Sequence, residues 1–184
     1  IISCNFSFRR KTNSRIIYRW CNNNSGCDFN YIHERKERRG NKMKIGFVGL
    51  GNVGNKLAGS LLRNNFDVTV RDIDENLTNA FKKLGGKVSK SPKELAEQSD
   101  LIITSLPSPE ISAEVMESED GILKGLSKNK IWLEMSTTDE DEVKRLGNKV
   151  ISKKAIPLDG PVSGGCHRAA TGNIAIFVGG ERKA

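Results

Sequence analysis

No apolar run in this chain of 184 residues approaches the ~20 that a membrane-spanning helix needs; "IGFVGLG" and "LIITSLP" are the longest. Spanning a bilayer is therefore excluded as a role. Hydrophobic residues make up only 36%, so any core has to be concentrated in part of the chain. Cysteine is scarce and badly placed for a disulfide framework. Three of the four, Cys4, Cys21 and Cys27, fall in the first 42 residues and leave Cys166 alone in the rest, which points to a reducing compartment. Cys21, Cys27 and His33 stand six apart, unlike the short C-x₂₋₄-C spacing of zinc sites, and no metal is expected. Charge of one sign is also missing where it would matter. The formal net charge is +8, but residues 1–42 hold ten Lys/Arg against three Asp/Glu, and the remainder twenty against nineteen. Attraction to a phosphate backbone would have to come from that tail alone, and no nucleic-acid partner is expected.

Residues 1–42 show no sustained apolar period and contain the polar run "CNNNSGCDFN". The chain opens on Ile, so its true start is expected to be missing or to lie at Met43. Positions 1–27 carry five Arg/Lys and no acid, as a mitochondrial targeting segment does. The reading adopted is a disordered tail, or translated sequence that was never part of the protein. Location is left between mitochondrial and cytoplasmic.

From Met43 to Ala184 the pattern is regular. Lys44–Gly49, Asp67–Arg71, Leu101–Leu106, Ile131–Met135 and Ala155–Asp159 read as strands, several apolar nearly throughout, as in a parallel sheet covered on both faces. Val53, Leu57 and Leu61, joined by Ala58 and Leu62, form one helical stripe. "SPKE" at Ser91–Glu94 is a capping box with Pro at the first helical position, and "TTDEDEV" at Thr137–Val143 starts another helix with acids at its positive end. "NIAIFVGG", from Asn173, is expected to be one more strand at the sheet edge. The fold class is α/β, a doubly wound, mostly parallel sheet.

The first strand runs into "GLGNVG", which is G-x-G-x-x-G at Gly49, Gly51 and Gly54. Gly49 permits the tight turn, Gly51 lets backbone approach a pyrophosphate, and Gly54 lets the helix pack against the strand. With Leu50, Asn52 and Val53 they form the candidate phosphate cradle at the start of a helix. A second strand ends in Asp72, eighteen residues past Gly54 and placed to accept hydrogen bonds from a ribose. A carboxylate there repels the extra phosphate of NADP, so NAD is expected and NADP kept as possible.

"KIGFVGLGNVG", "DLIITSLP", "LEMST" and "LDGPVSGGCHRAATGNIAIFVGG" together resemble the β-hydroxyacid dehydrogenases, most of all the branch acting on 3-hydroxyisobutyrate. The resemblance covers about Met43 to Gly180 and implies a Rossmann domain. By it, Leu106, Pro107 and Thr137 would contact the cofactor; Ser136 would lie near the nicotinamide, and it is placed with Ser163, Gly164 and Gly165 among the groups binding a small carboxylate substrate. Successive glycines can fold into a concave backbone whose amides hold an anion. Cys166, His167 and Arg168 are given no catalytic role.

The resemblance also implies parts this chain lacks. The family's lysine, in a pattern like G-x-G-x-x-x-K-x-x-N, would lie beyond Ala184, as would an all-helical domain that makes the homo-oligomer. The expectation is a fragment that binds NAD weakly and turns over little, from an enzyme oxidising a small 3-hydroxy acid. The alternatives are an NADPH-dependent reductase of aldehyde acids, disfavoured by Ile73 after Asp72, and a non-catalytic dinucleotide-binding module.

Overall fold

The computed structural model describes residues 42–181. Residues 1–41 of the tail, and with them the zinc reading, lie outside the described residues. In chain order the elements are β1 (Lys44–Val48), α1 (Gly54–Arg63), β2 (Asp67–Arg71), α2 (Glu75–Lys83), β3 (Lys87–Val88), α3 (Pro92–Gln98), β4 (Leu101–Thr104) and α4 (Pro109–Glu117). They continue with α5 (Ile122–Gly125), β5 (Ile131–Glu134), α6 (Glu140–Ser152), β6 (Ile156–Asp159), β7 (Val162–Ser163), α7 (Gly165–Thr171), β8 (Ala175–Ile176) and β9 (Gly179–Gly180).

Seven strands form one sheet in the order β3-β2-β1-β4-β5-β6-β9, parallel except for β9, which runs antiparallel to β6. Strand order reverses between β1 and β4, and the crevice outside the carboxyl ends there is where open α/β sheets hold ligands. The alternation of β1 explains why both faces are covered. Ile45 and Phe47 join a cluster with Leu57, Ala58 of α1, Phe81 of α2 and Ala169 of α7. Val48 joins the opposite cluster, with Leu95 and Ala96 of α3, Met116 of α4, Ile122 of α5, and Leu146 and Val150 of α6. Gly46 faces α3 so closely that a Cβ would lie 2.2 Å from the Leu95 side chain.

Side chains close most of the long helices at their amino ends. Asp74, Ser91, Ser108 and Asp139 accept from backbone amides at the starts of α2, α3, α4 and α6. Of the expected Ser91–Glu94 box one half forms, the Glu94 amide donating to Ser91 Oγ at 3.2 Å, while the Glu94 carboxylate reaches one residue further back and accepts from the Lys90 amide at 2.7 Å. By contrast, the helix expected from Thr137 begins only at Glu140: Asp139 Oδ1 takes the Glu142 amide at 3.0 Å, and both threonines stay in the preceding loop.

The expected single edge strand from Asn173 is instead two short ones. Ala175–Ile176 pairs with Val162–Ser163 in a separate two-stranded sheet, and only Gly179–Gly180 reaches β6. The Phe177 amide continues the first pairing, donating to the Pro161 carbonyl at 3.0 Å, and the chain reaches β6 only beyond it.

Candidate functional site

The turn after β1 is shaped by its glycines. Gly49 has φ of +96°, a conformation that penalises any side chain, and a Cβ there would sit 2.2 Å from the Ser105 carbonyl oxygen. At Gly54 a Cβ would lie 2.0 Å from the Gly49 oxygen, so α1 can enter close to the strand only without one. Gly51 is different: it is exposed and nothing stands within 4 Å of the place its Cβ would take. Packing does not ask for glycine there, whereas a ligand approaching the backbone would. Asn52 is exposed and Val53 half-buried, while the Leu50 side chain is in the core, so only the backbone of Leu50 faces the turn.

Helix α1 has no side-chain cap and no acid in its first turn, unlike α2, α3, α4 and α6. No acid of its own first turn therefore occupies its positive end, which suits an anion. Asp72, at the end of β2, accepts from the Leu50 amide at 2.5 Å and from the Asp74 amide at 2.9 Å. It pins the glycine turn to the neighbouring strand and keeps a half-exposed carboxylate beside it. The Arg71 guanidinium folds back onto the Asp72 main-chain carbonyl. Ile73, 91% exposed, follows them. This cradle, bare at Gly51 and edged by an acid, fits the diphosphate and ribose of a nicotinamide dinucleotide.

The loops after β4 and β5 meet on the other side of the crevice. Leu106 is half-buried against the glycine turn, its Cδ2 3.2 Å from where a Gly49 Cβ would be, and Pro107 is exposed. Ser136 is buried: its Oγ takes the Leu106 amide at 2.7 Å and donates to Glu134 Oε1 at 2.5 Å. Thr137 beside it is exposed. Between this loop and the one after β6 lies a cleft of about 430 Å³, lined by Ser136, Thr137, Thr138, Lys144, Asp159 and Pro161 among others. Burial raises the Asp159 carboxyl above the ordinary aspartate range, against a backbone donor at Gly160 that lowers it.

Ser163, Gly164 and Gly165 are exposed at the β7–α7 junction, outside that cleft, with φ of +131° and +72° at the two glycines. Both positive φ values are open to glycine and disfavour other residues, so the sharp entry into α7 depends on these two glycines. Cys166, His167 and Arg168 are exposed on α7. Among the described residues no group of three or more His, Cys, Asp or Glu side chains is placed to hold a metal ion, and no helix is long and apolar enough to cross a membrane.

Two carboxyls escape the motif reading. Glu134 is wholly buried at the end of β5, and Asp159 is half-buried in the cleft. The signal for Glu134 is legible in retrospect: one acid interrupts the otherwise apolar "IWLEM" of a strand covered on both faces.

Residues 44–184 match the family model described as the NAD binding domain of 6-phosphogluconate dehydrogenase. The chain is 39% identical over 139 residues to the mitochondrial 3-hydroxyisobutyrate dehydrogenase of Mus musculus, a match covering 76% of this chain and 42% of that protein. The corresponding Homo sapiens protein is 36% identical, with 76% and 41% covered. The chain thus spans about two fifths of the length of these curated relatives. Among solved structures, the 3-hydroxyisobutyrate dehydrogenase of Mycobacterium tuberculosis with L-serine superposes with a TM-score of 0.73 at 26% identity, covering 77% of this chain and 48% of that one.

Proposed function

Because the chain belongs to the family of the NAD binding domain of 6-phosphogluconate dehydrogenase, we propose that it holds NAD and the carboxylate of a small 3-hydroxy acid for an oxidation completed by the whole protein. The observation that carries the reading is the exposed, unobstructed Gly51 above an uncapped α1, with Asp72 beside it at the switch point of the sheet. The name of the mouse relative supplies the substrate class, 3-hydroxyisobutyrate and its like.

Each residue then has a task. The turn from Gly49 to Gly54 takes the diphosphate on its amides, with Leu50, Asn52 and Val53 contributing backbone only. Asp72 accepts from the adenosine ribose and, being anionic, disfavours a phosphate on that sugar. Leu106 and Pro107 close one side of the nicotinamide end and Thr137 the other. Ser163, Gly164 and Gly165 bind the substrate carboxylate on a hydroxyl and backbone amides. When bound, the nicotinamide is the hydride acceptor. The hydroxyl proton needs an acceptor within roughly 3 Å, a step that contributes typically ~10²–10⁴-fold. None of the exposed groups beside Ser163 is assigned that task, and we place it in the remainder of the whole protein, as the family resemblance implies.

The experiment is a paired titration of the 184-residue chain with NADH and NADPH, followed by nicotinamide fluorescence, for the wild type and for Gly51→Asp. The wild type should bind NADH more tightly than NADPH, and Gly51→Asp should lose both while keeping its melting temperature. Equal binding by the variant would remove the glycine turn from the site.

A further inference from the structure

Glu134 has no exposed surface, and Thr104 of β4 lies opposite it in the parallel register. A carboxyl at that depth is costly unless its oxygens are satisfied. Oε1 accepts twice from one residue, from the Ser136 amide at 2.9 Å and from the Ser136 hydroxyl at 2.5 Å. On the other oxygen, Oε2, Ser112 Oγ of α4 stands at 3.4 Å. Thr104, beside Glu134, takes Trp132 Nε1–H on its Oγ1 at 2.9 Å.

Ser136 is limited by its supply of hydrogen. A serine hydroxyl has one hydrogen to give. Leu106 N–H donates to the Ser136 oxygen, and the single hydroxyl hydrogen is committed to Glu134. Ser136 therefore has no O–H left to offer a ligand. Its hydroxyl instead joins the loop after β4, carrying Leu106 and Pro107, to the loop after β5, carrying Thr137. The two loops flank one end of the crevice, and Glu134 is the buried post to which both are tied.

We infer that Glu134 is a positioning residue: through the Ser136 hydroxyl it sets the Leu106 and Thr137 loops in fixed relation, and so shapes the nicotinamide end of the site while leaving the adenosine end untouched. The inference rests on the nucleotide reading above. It assigns Ser136 the role of a brace, in place of the substrate contact that the family resemblance implies for it. Glutamine keeps an acceptor oxygen for both Ser136 donors and an amide for the Ser112 side, so it should preserve the brace; leucine should abolish it.

The test compares NADH with ADP-ribose, which keeps both riboses and the diphosphate and lacks only the nicotinamide ring, by calorimetric titration of the 184-residue chain. Glu134→Leu should weaken NADH about tenfold and leave ADP-ribose within about twofold, whereas Glu134→Gln should leave both near wild type. Ser136→Ala, a smaller change that keeps the carboxyl and the Ser136 amide, should weaken NADH alone, and it serves if the leucine variant fails to fold. A merely structural role would lower both ligands together. Parallel loss of both in Ser136→Ala, or undiminished NADH binding in a folded Glu134→Leu, would overturn the inference. If the wild type bound ADP-ribose but not NADH, the positioning role would fall and the adenosine site would stand. If it bound neither, the nucleotide reading itself would fail and take the inference with it.

Discussion

At the scale of single residues, the three glycines of the first turn separate into two kinds. Gly49 and Gly54 are demanded by the fold: an added Cβ meets backbone oxygen at 2.2 and 2.0 Å, respectively. Gly51 meets nothing within 4 Å. Gly49→Ala should therefore lower the melting temperature by roughly 5 °C or more, since left-handed backbone alone costs an L-residue about 1–2 kcal/mol. Gly51→Ala should melt with the wild type and bind NADH more weakly. Thermal melts read beside a titration check both outcomes. Asp72 combines the two kinds of demand, because its carboxylate accepts from the Leu50 and Asp74 amides while facing the crevice. Asp72→Asn should keep most of the stability and narrow the preference for NADH over NADPH. Asp72→Ala should in addition strand the part-buried Leu50 amide and lose about 1–3 kcal/mol in a denaturant titration.

At the scale of elements, α6 shows how capping and charge act together. Asp139 caps it, Glu140, Asp141 and Glu142 fill its first turn, and Arg145 joins Glu142 to Glu117 of α4, with Lys149 also on Glu117. Asp139→Ala should cost about 1 kcal/mol, or a fall of roughly 3 °C in melting temperature. Hydrogen bonds from Arg145, then Lys149, hold the Glu117 carboxyl down to about 2, against an ordinary 4.5. That stability is present above about pH 4.5 and lost as pH falls toward 2. Glu134 has the opposite sign. Burial raises its carboxyl above 4.5, so its contribution is complete below that pH and drains away as pH rises through the raised value. The melting temperature of Glu117→Gln should thus trail the wild type at neutral pH and converge with it in acid. Glu134→Gln should gain on the wild type as pH rises.

The elements also show what a reader of the sequence can and cannot see. The strands of the parallel core are legible because burial on both faces leaves apolar runs such as "LIIT", and capped helices are legible because Ser91 and Glu94 stand at the right interval. β3, β7, β8 and β9 are two residues each, too short to carry a period. The glycine turn is readable because its chemistry is backbone chemistry and its spacing is fixed by geometry. The inward turn of the Ser136 hydroxyl is not, since it depends on Leu106, thirty residues earlier in the loop after another strand.

At the scale of the whole molecule, the sheet order β3-β2-β1-β4-β5-β6 gathers the ends of β1, β2, β4, β5 and β6 along one rim. Every residue proposed to touch nucleotide or substrate lies on that rim or in the β6–α7 bend following it. The chain covers about two fifths of its curated relatives, so the proposed division of labour places binding here and proton transfer elsewhere. The 184-residue chain should accordingly bind NADH while oxidising 3-hydroxyisobutyrate at least ~10²-fold more slowly than a full-length relative assayed beside it. Steady-state production of NADH checks this. The central claim, that the rim is a nicotinamide dinucleotide site, is tested most directly by titrating NADH into the folded chain and following nicotinamide fluorescence. Saturable binding below roughly millimolar concentration, abolished in a Gly51→Asp variant that melts like the wild type, is the expected result. A flat signal from a folded wild-type chain at millimolar NADH would contradict it.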